Sequence, residues 1–319
     1  MNILRALCLA ATSFVFSQSA FALEALQISE RQPGNFESWV ALSIILTSVL
    51  TAWFLNHTAA KIRVFGTVLA ASGCFTIAVW FLFYVLGTGF LEHPKPNQTP
   101  LDSAKPALLW IQAMVALVAG LALLAVAVKQ SKNTDTLELS AANEPDRYGR
   151  VSRVLHWTIA ILFLALIPMG IFTSIIPEGT AYRIEYYVVH KTIGVTVLAL
   201  VLVRLFWNRK SKRPALDTSL TTKERKLAHS AHIALYVMMI MIPITGFIMT
   251  SFHGAPTFFF VWELEPLWGF SKTGTIVWGM LHKYLLPYLL YIVLGAHILG
   301  ALKHQLVDKH TNAFKRMVS

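Results

Sequence analysis

Long apolar runs alternate with short polar segments along most of the chain. Seven runs after residue 22 can each cross a bilayer as an α-helix, which takes about 20 mainly apolar residues. The pattern therefore predicts an all-α integral membrane protein with seven transmembrane helices. The runs are Trp39–Leu55, Val64–Gly87, Ala107–Val128, Leu155–Ile175, Val188–Trp207, Ala228–Thr250 and Gly279–Ala301.

The first 22 residues form an apolar segment of a different kind. Arg5 precedes a short apolar stretch, and the segment ends in Ala20, Phe21 and Ala22. This arrangement is typical of a secretory signal peptide that is cut after Ala22, and an uncleaved anchor helix is the alternative. Cleavage would leave seven helices and a mature N-terminus outside the cytoplasm.

A polar segment divides the helices into two groups. Residues 129–147 are rich in Asn, Asp, Glu and Ser and show no apolar period. We therefore predict three parts: a signal peptide over residues 1–22, a three-helix membrane region over residues 23–140, and a four-helix domain over residues 141–319.

Composition and charge agree with a membrane protein. Of the 319 residues, 55% are hydrophobic and 13% are charged. The net charge of +11 comes from Lys and Arg clustered between the apolar runs. Such clusters set the orientation of the helices in the membrane, and this interpretation is favoured over nucleic-acid binding. The most basic segment, Asn208–Lys226, belongs in the cytoplasm by the positive-inside rule. Counting helices from it places the C-terminus in the cytoplasm and the mature N-terminus outside.

Four histidines lie at two depths in the second group of helices. His282 and His297 share the last helix, where 15 residues at 1.5 Å each separate them by roughly 22 Å. His190 enters its helix from the outside, and His156 enters from the cytoplasm. The sequence therefore predicts two pairs, His190 with His282 and His156 with His297.

Two imidazoles that face each other across a helix bundle can bind a haem iron from both sides. A zinc site would need three or four N, O or S ligands at one level, and neither level offers a nearby Cys or carboxylate. The only cysteines, Cys8 and Cys74, exclude an iron–sulfur cluster. Hydrogen-bonded packing histidines are the alternative, and two electron-transferring haems are the prediction.

The spacing between His282 and His297 does not point both side chains to the same side of an ideal helix. At 100° per residue, 15 residues place His297 roughly 60° round an ideal helix from His282. Pro287 lies between them and can kink the helix or open a bulge. We therefore predict a local irregularity there.

Several segments of the second group resemble the bacterial cytochrome b561 family, over about residues 146–317. They are Arg147–Trp157, His190–Gly194, Val203–Trp207, Leu227–Tyr236 and Gly295–His304. The resemblance implies a four-helix bundle with two b-type haems in the bacterial inner membrane. It assigns His156 and His297 to the cytoplasmic haem and His190 and His282 to the periplasmic haem.

The resemblance also implies a quinone site for ubiquinone or menaquinone. His304 matches a family histidine linked to quinone contact, and a neutral imidazole there could hydrogen-bond a quinone carbonyl. Many members carry a second histidine next to it, where this chain has Gln305. His229 and His232 receive no iron in this interpretation, and we expect capping or propionate contacts from them.

Three basic side chains at helix ends have two interpretations. Arg153, Lys191 and Arg204 lie where haem propionates would emerge, so that charge-assisted pairs are plausible. They could equally be topology charges that snorkel to the membrane surface.

Members of the family pass electrons between quinone and a periplasmic partner, and some are superoxide oxidases. Positive charges near the outer face, such as Lys191, Arg183, Lys272 and Lys283, could attract superoxide. The favoured function is a two-haem cytochrome between the quinone pool and a periplasmic redox protein or superoxide.

Two other functions stay open. One is a membrane-anchor subunit of a larger dehydrogenase or reductase, and the other is a haem-free structural or transport protein, for which inverted repeats would be expected.

The three-helix region would dock a partner, add a quinone pocket or widen the bundle, and the sequence does not choose among these roles.

Overall fold

The computed structural model describes residues 36–57, 59–87, 105–131, 140–175, 183–215, 220–304 and 315–318. The predicted signal peptide and Gln305 lie outside these residues.

Helices account for most of the described chain, at positions close to the predicted runs. A π-helical turn, Leu281–Leu285, joins α7 to α8, so these three segments form one continuous helix. The helices are α1 Phe36–Leu55, α2 Ala60–Gly87, α3 Lys105–Ser131, α4 Arg150–Ile175, α5 Arg183–Lys210, α6 Thr222–Phe252, α7 Lys272–Met280, α8 Leu286–Lys303 and α9 Lys315–Val318.

Six stretches of the described residues are long and apolar enough to cross a membrane. They are Glu37–Leu55, Trp110–Val128, Arg150–Ser174, Ile184–Lys210, Thr222–Phe252 and Lys272–Lys303. The remaining predicted run, Val64–Gly87, lies within α2, a helix of 28 residues. The all-α membrane class therefore agrees with the structure, and the count of seven spans stays a prediction.

Side chains from α4, α5, α6 and α8 share one buried core. Leu162, Ile193 and Val197 in this core are fully buried, and Leu290 contributes from α8. Ala41 of α1 belongs to the same core, so the three-helix region packs directly on the four-helix domain. Large apolar side chains on the outer surface, such as Phe206 and Ile292, are exposed as expected for helices that face lipid.

The short helix α9 docks at the end of the domain where α4 begins. The Trp157 indole Nε1 donates to the Met317 carbonyl at 3.1 Å. Arg316 Nη1 donates to the carbonyl of Ala215, which follows α5, at 2.8 Å. These bonds place α9 beside the polar segments that the sequence assigns to the cytoplasm.

A β-hairpin that the sequence did not predict connects α6 to α7. Strands β1, Thr257–Phe259, and β2, Trp262–Leu264, pair antiparallel with Phe259 opposite Trp262. The turn between them contains Phe260 at a φ of 55°. Two-residue hairpin turns that need positive φ usually carry Gly, Asn or Asp, so Phe at this position indicates that contacts outside the hairpin hold the turn.

Candidate functional site

The structure brings His190 of α5 and His282 of the π-turn together. Their ring centroids are 6.2 Å apart, and the ring planes meet at 78°. A metal–imidazole bond is about 2 Å long, so one metal atom fits between the rings. We call these two residues the outer histidine pair, because they lie at the end of the domain that the sequence assigns to the outside.

The π-turn positions the His282 ring. The Leu286 N–H donates to the Leu281 carbonyl, five residues back, and the following Pro287 has no N–H to donate. Because a π-turn rotates the chain less per residue than an α-turn, it reduces the offset of roughly 60° between His282 and His297. The predicted irregularity near Pro287 is thus confirmed, as a wide turn just before the proline.

Two glycines leave space for the outer rings. A Cβ added to Gly246 of α6 would lie 2.6 Å from His282 Cε1, and one added to Gly170 of α4 would lie 3.3 Å from His190 Cε1. Each ring therefore reaches the backbone of a neighbouring helix. Only glycine permits this approach at position 246 without a displacement of the ring.

The polar atoms of the outer pair fit metal ligands. His282 Nδ1 lies 2.9 Å from the Ile242 carbonyl, so the ring donates from Nδ1 and leaves Nε2 with its lone pair. His190 Nδ1 is buried and has no hydrogen-bond partner among the described residues. A buried imidazole with an unused nitrogen costs free energy unless a ligand satisfies it.

Three imidazoles gather at the other end, where the sequence predicted two. The rings of His297 and His232 have centroids 5.3 Å apart, with their planes at 65°. His156 interacts electrostatically with both of them and with Arg204, and its buried Nδ1 has no hydrogen-bond partner among the described residues. We call His156, His232 and His297 the inner histidine cluster.

From the sequence we expected capping or propionate contacts from His232 and no contact with His297. The sequence feature that could have indicated this contact is the predicted depth of His232 in the membrane. His232 lies near the cytoplasmic end of its apolar run, at the level of His297. Depth alone does not tell which way a helix face points, so the ring contact became visible only in the structure. The predicted pairing of His156 with His297 as ligands stays a prediction.

The three predicted propionate contacts lie in different surroundings. Arg153 is fully buried and donates from Nε to the Tyr148 carbonyl at 2.8 Å. The Arg204 guanidinium stacks 5.6 Å above the Tyr236 ring. Lys191, next to His190, donates from Nζ to the Pro256 carbonyl at 2.8 Å and so helps to hold the hairpin.

His304 ends α8 at the inner end of the domain. Its backbone N–H donates to the carbonyls of Gly300 and Ala301. The residue lies seven positions beyond His297, about two helical turns. Its predicted quinone contact stays a prediction.

No group of three or more His, Cys, Asp or Glu among the described residues is arranged to hold a metal ion by itself. Both histidine sites thus lack the ligand number of a structural zinc site. Two axial imidazoles and apolar walls suit a haem, whose porphyrin supplies the other four ligands.

The chain is similar to proteins of one kind over its second half. A family model described as prokaryotic cytochrome b561 matches residues 147–319. "Cytochrome b561 homolog 2" of Escherichia coli (strain K12) is 26% identical over 181 residues, which cover 56% of this chain and 95% of that protein. "Probable superoxide oxidase CybB" of Yersinia pestis is 23% identical over 176 residues, which cover 54% of this chain and 96% of that protein. Helices α1–α3 lie outside the matched family model.

Proposed function

We propose, from the premise that the chain belongs to the prokaryotic cytochrome b561 family, that it carries electrons across the bacterial inner membrane between the quinone pool and a periplasmic redox partner. The match to this family confirms the resemblance that the sequence analysis described. The chain is thus a multi-pass bacterial membrane protein and a b-type cytochrome. The family implies haem b binding. Two haems, the quinone and the periplasmic partner are our proposal.

The observation that carries the proposal is the presence of histidine sites at both ends of one helical domain. His282 and His297 lie on one continuous helix, roughly 22 Å apart by helical rise. The rings of His190 and His282 meet at one end, and those of His232 and His297 meet at the other. Two sites at this separation would divide a bilayer of about 30 Å into short electron-transfer steps.

The residues at the outer site would hold a haem as follows. His190 and His282 would bind the iron, and the bond from His282 Nδ1 to the Ile242 carbonyl would fix the orientation of that ring and raise its basicity. Haem held by two imidazoles transfers single electrons and has no open position for oxygen. The apolar side chains around the rings would keep water out and so influence the reduction potential.

At the inner site, His156 and His297 would bind the second haem. His232 packs against the His297 ring and would orient it. The buried Arg153 and the half-buried Arg204 would offset the negative charge of the propionates.

His304 would serve the quinone at the inner end. An imidazole there would donate a hydrogen bond to a quinone carbonyl or accept one from a quinol hydroxyl, and it would pass protons as the quinone changes redox state. Replacing His304 with Ala should lower quinone reduction while both haems remain bound. A His304→Ala protein with the wild-type rate would place the quinone elsewhere.

Absorption spectra of histidine variants test the two-haem proposal directly. Alanine at His190 or His282 should remove the outer haem, and alanine at His156 or His297 the inner one. Each variant should keep about half of the b-type reduced-minus-oxidised absorbance, because each site needs both axial ligands. A wild-type protein without a b-type band would contradict haem binding, and loss of all haem in every variant would contradict two separate sites.

His232→Ala separates ligation from orientation at the inner site. An orienting ring should be dispensable for haem content, and its loss should shift only the spectrum or potential of the inner haem. If His232→Ala removes the inner haem while His156→Ala keeps it, His232 replaces His156 as the ligand.

Superoxide is a second candidate as the periplasmic donor, favoured by similarity to the relative named as a probable superoxide oxidase. Two superoxide ions would each release one electron and become O₂, and one quinone would take up both electrons and two protons. Lys191, Lys272 and Lys283 near the outer end would attract the anion. Superoxide-dependent quinone reduction by the purified protein, compared with His190→Ala, tests this activity, and equal rates would exclude it.

A further inference from the structure

A cavity of about 330 Å³ lies between α5 and α6, near the ends that the sequence assigns to the cytoplasm. Its polar and basic lining includes Asn208, Arg209, Arg213 and His229, together with His232 of the inner histidine cluster. None of the residues that line it in the described part of the chain is Asp or Glu. Among the described residues, the lining thus brings two guanidiniums together without a carboxylate.

Apolar side chains also line the cavity and reach the surface. Ile233 and Val237 of α6 line it and are about half exposed, at 51% and 52%. In a membrane, such side chains face lipid tails. The cavity therefore opens sideways into the bilayer, with its basic end towards the membrane surface.

Tyr236 also lines the cavity and offers one further donor. Asn208 Nδ2 donates to the Tyr236 hydroxyl at 2.8 Å, and the Arg204 guanidinium lies over the ring. Because the hydroxyl oxygen already accepts a bond, its own proton remains to be donated to a ligand. The bond and the stacked guanidinium also hold the ring in place.

Two guanidiniums at the basic end carry only donors and positive charge, and they favour a negative ligand that accepts hydrogen bonds. Phosphate meets both conditions and is a good partner for arginine. A quinone would use the donors, but it is neutral and would leave the two arginine charges unused. The apolar wall beside the basic end matches a ligand with a charged head and a hydrocarbon tail.

We propose that this cavity binds an anionic phospholipid of the adjacent leaflet, with its phosphate at Arg209 and Arg213 and an acyl chain along Ile233 and Val237. Basic pockets between transmembrane helices are suited to such headgroups. Arg209 and Arg213, the proposed phosphate contacts, belong to neither histidine site, so lipid binding can fail while electron transfer is retained, and the reverse.

Lipid binding to the full-length, haem-containing protein tests the proposal. Delipidated protein in detergent is titrated with phosphatidylglycerol, cardiolipin or phosphatidylethanolamine, and bound lipid is counted by native mass spectrometry. The anionic lipids should bind, and phosphatidylethanolamine should bind much more weakly. Equal binding of the neutral lipid would overturn the proposal.

A double variant, R209Q with R213Q, should lose affinity for the anionic lipid by about tenfold or more, since each basic group near an anionic lipid contributes on this scale. The matched control is K223Q with K226Q, which removes the same charge from exposed positions of α6 that do not line the cavity. Equal losses in the two double variants would show a general surface charge effect and overturn the site.

Two further measurements identify the ligand and guard against misfolding. Tyr236→Phe removes the hydroxyl, and with it one donor to the ligand and the bond from Asn208, and it should weaken binding less than the arginine variant, with haem content unchanged. Inorganic phosphate and a soluble quinone analogue are added as competitors. Displacement of the lipid by millimolar phosphate would reveal a free-phosphate site, and displacement by the quinone analogue would reveal a quinone site, and either result would overturn the proposal.

Discussion

Gly246 and Gly170 each leave room for one ring of the outer histidine pair. The missing Cβ matters most at Gly246, where the His282 ring lies against the backbone of α6. Close approach of this kind cannot be read from a single glycine in a helix, because several helical glycines among the described residues meet nothing. Gly194 and Gly295, for example, have open space where a Cβ would be.

Gly246→Ala should disturb the outer site selectively. The new Cβ would lie 2.6 Å from His282 Cε1, so the ring must move away from the Ile242 carbonyl. We expect a lower content of the outer haem, or a shifted potential, with the inner haem unchanged. Haem-resolved redox titration measures both.

Gly73→Ala is the matched control for this prediction, since it adds the same methyl group to α2, outside both histidine sites, where nothing lies within 4 Å. Gly170→Ala should have a smaller effect than Gly246→Ala, because its Cβ would lie 3.3 Å from His190. An unchanged outer haem in Gly246→Ala would show that the His282 ring has space to move.

At the scale of elements, the hairpin β1–β2 is fastened to α5 directly beside His190. The Thr192 hydroxyl donates to the Phe258 carbonyl at 3.4 Å and accepts from the Phe260 N–H at 3.2 Å. Thr192 is fully buried, and Phe260 packs against the core of the domain. These contacts stabilise the positive φ of Phe260 and cover the outer end of the core.

Thr192→Val should loosen the hairpin without changing the helices. Valine has the same shape but leaves the Phe260 N–H and the Phe258 carbonyl without this partner, at a cost of about 1–3 kcal/mol. Hydrogen exchange over residues 257–264 should rise. Thr192→Ser keeps the hydroxyl and should restore most of the protection, whereas equal exchange in all three proteins would contradict the fastening role.

The π-turn is the second element that serves the site. Its wide turn lets one helix present His282 to α5 and His297 to the inner cluster, although 15 residues do not complete whole turns of an α-helix. Bulges of this type are common at functional sites because they redirect a side chain while the rest of the helix continues unchanged.

At the scale of the whole molecule, α1 joins the three-helix region to the four-helix domain. Ala41 of α1 is fully buried in the shared core, beside side chains of α4 and α5. Small residues at such contacts allow helices to approach closely in a membrane. Helices α1–α3 therefore form part of the wall around the domain, even though they lie outside the matched family model.

Ala41→Leu should weaken the attachment of the three-helix region. Three added carbons overpack a filled core and cost about 1–3 kcal/mol. The thermal unfolding midpoint should fall while haem content at low temperature stays the same. Ser43→Leu adds a similar bulk at an exposed position of α1 and should leave the midpoint nearly unchanged. An equal fall in both variants would contradict a specific packing role for Ala41.

The sequence by itself determined the membrane class, the helix positions, the family and the depth of each histidine. These properties depend on the length of apolar runs and on the fixed rise per residue, both of which are local. The irregularity near Pro287 was predictable for the same reason, because proline lacks the N–H that an α-helix needs.

Only the tertiary structure decided which side chains meet. The contact of His232 with His297, the glycine backbone under His282 and the hairpin held by Thr192 all depend on how each helix is rotated against its neighbours. In a membrane helix most faces are apolar, so the spacing of apolar residues along the sequence says little about how the helix is rotated about its own axis. The packing of large and small side chains sets it instead, and that packing exists only once the helices come together.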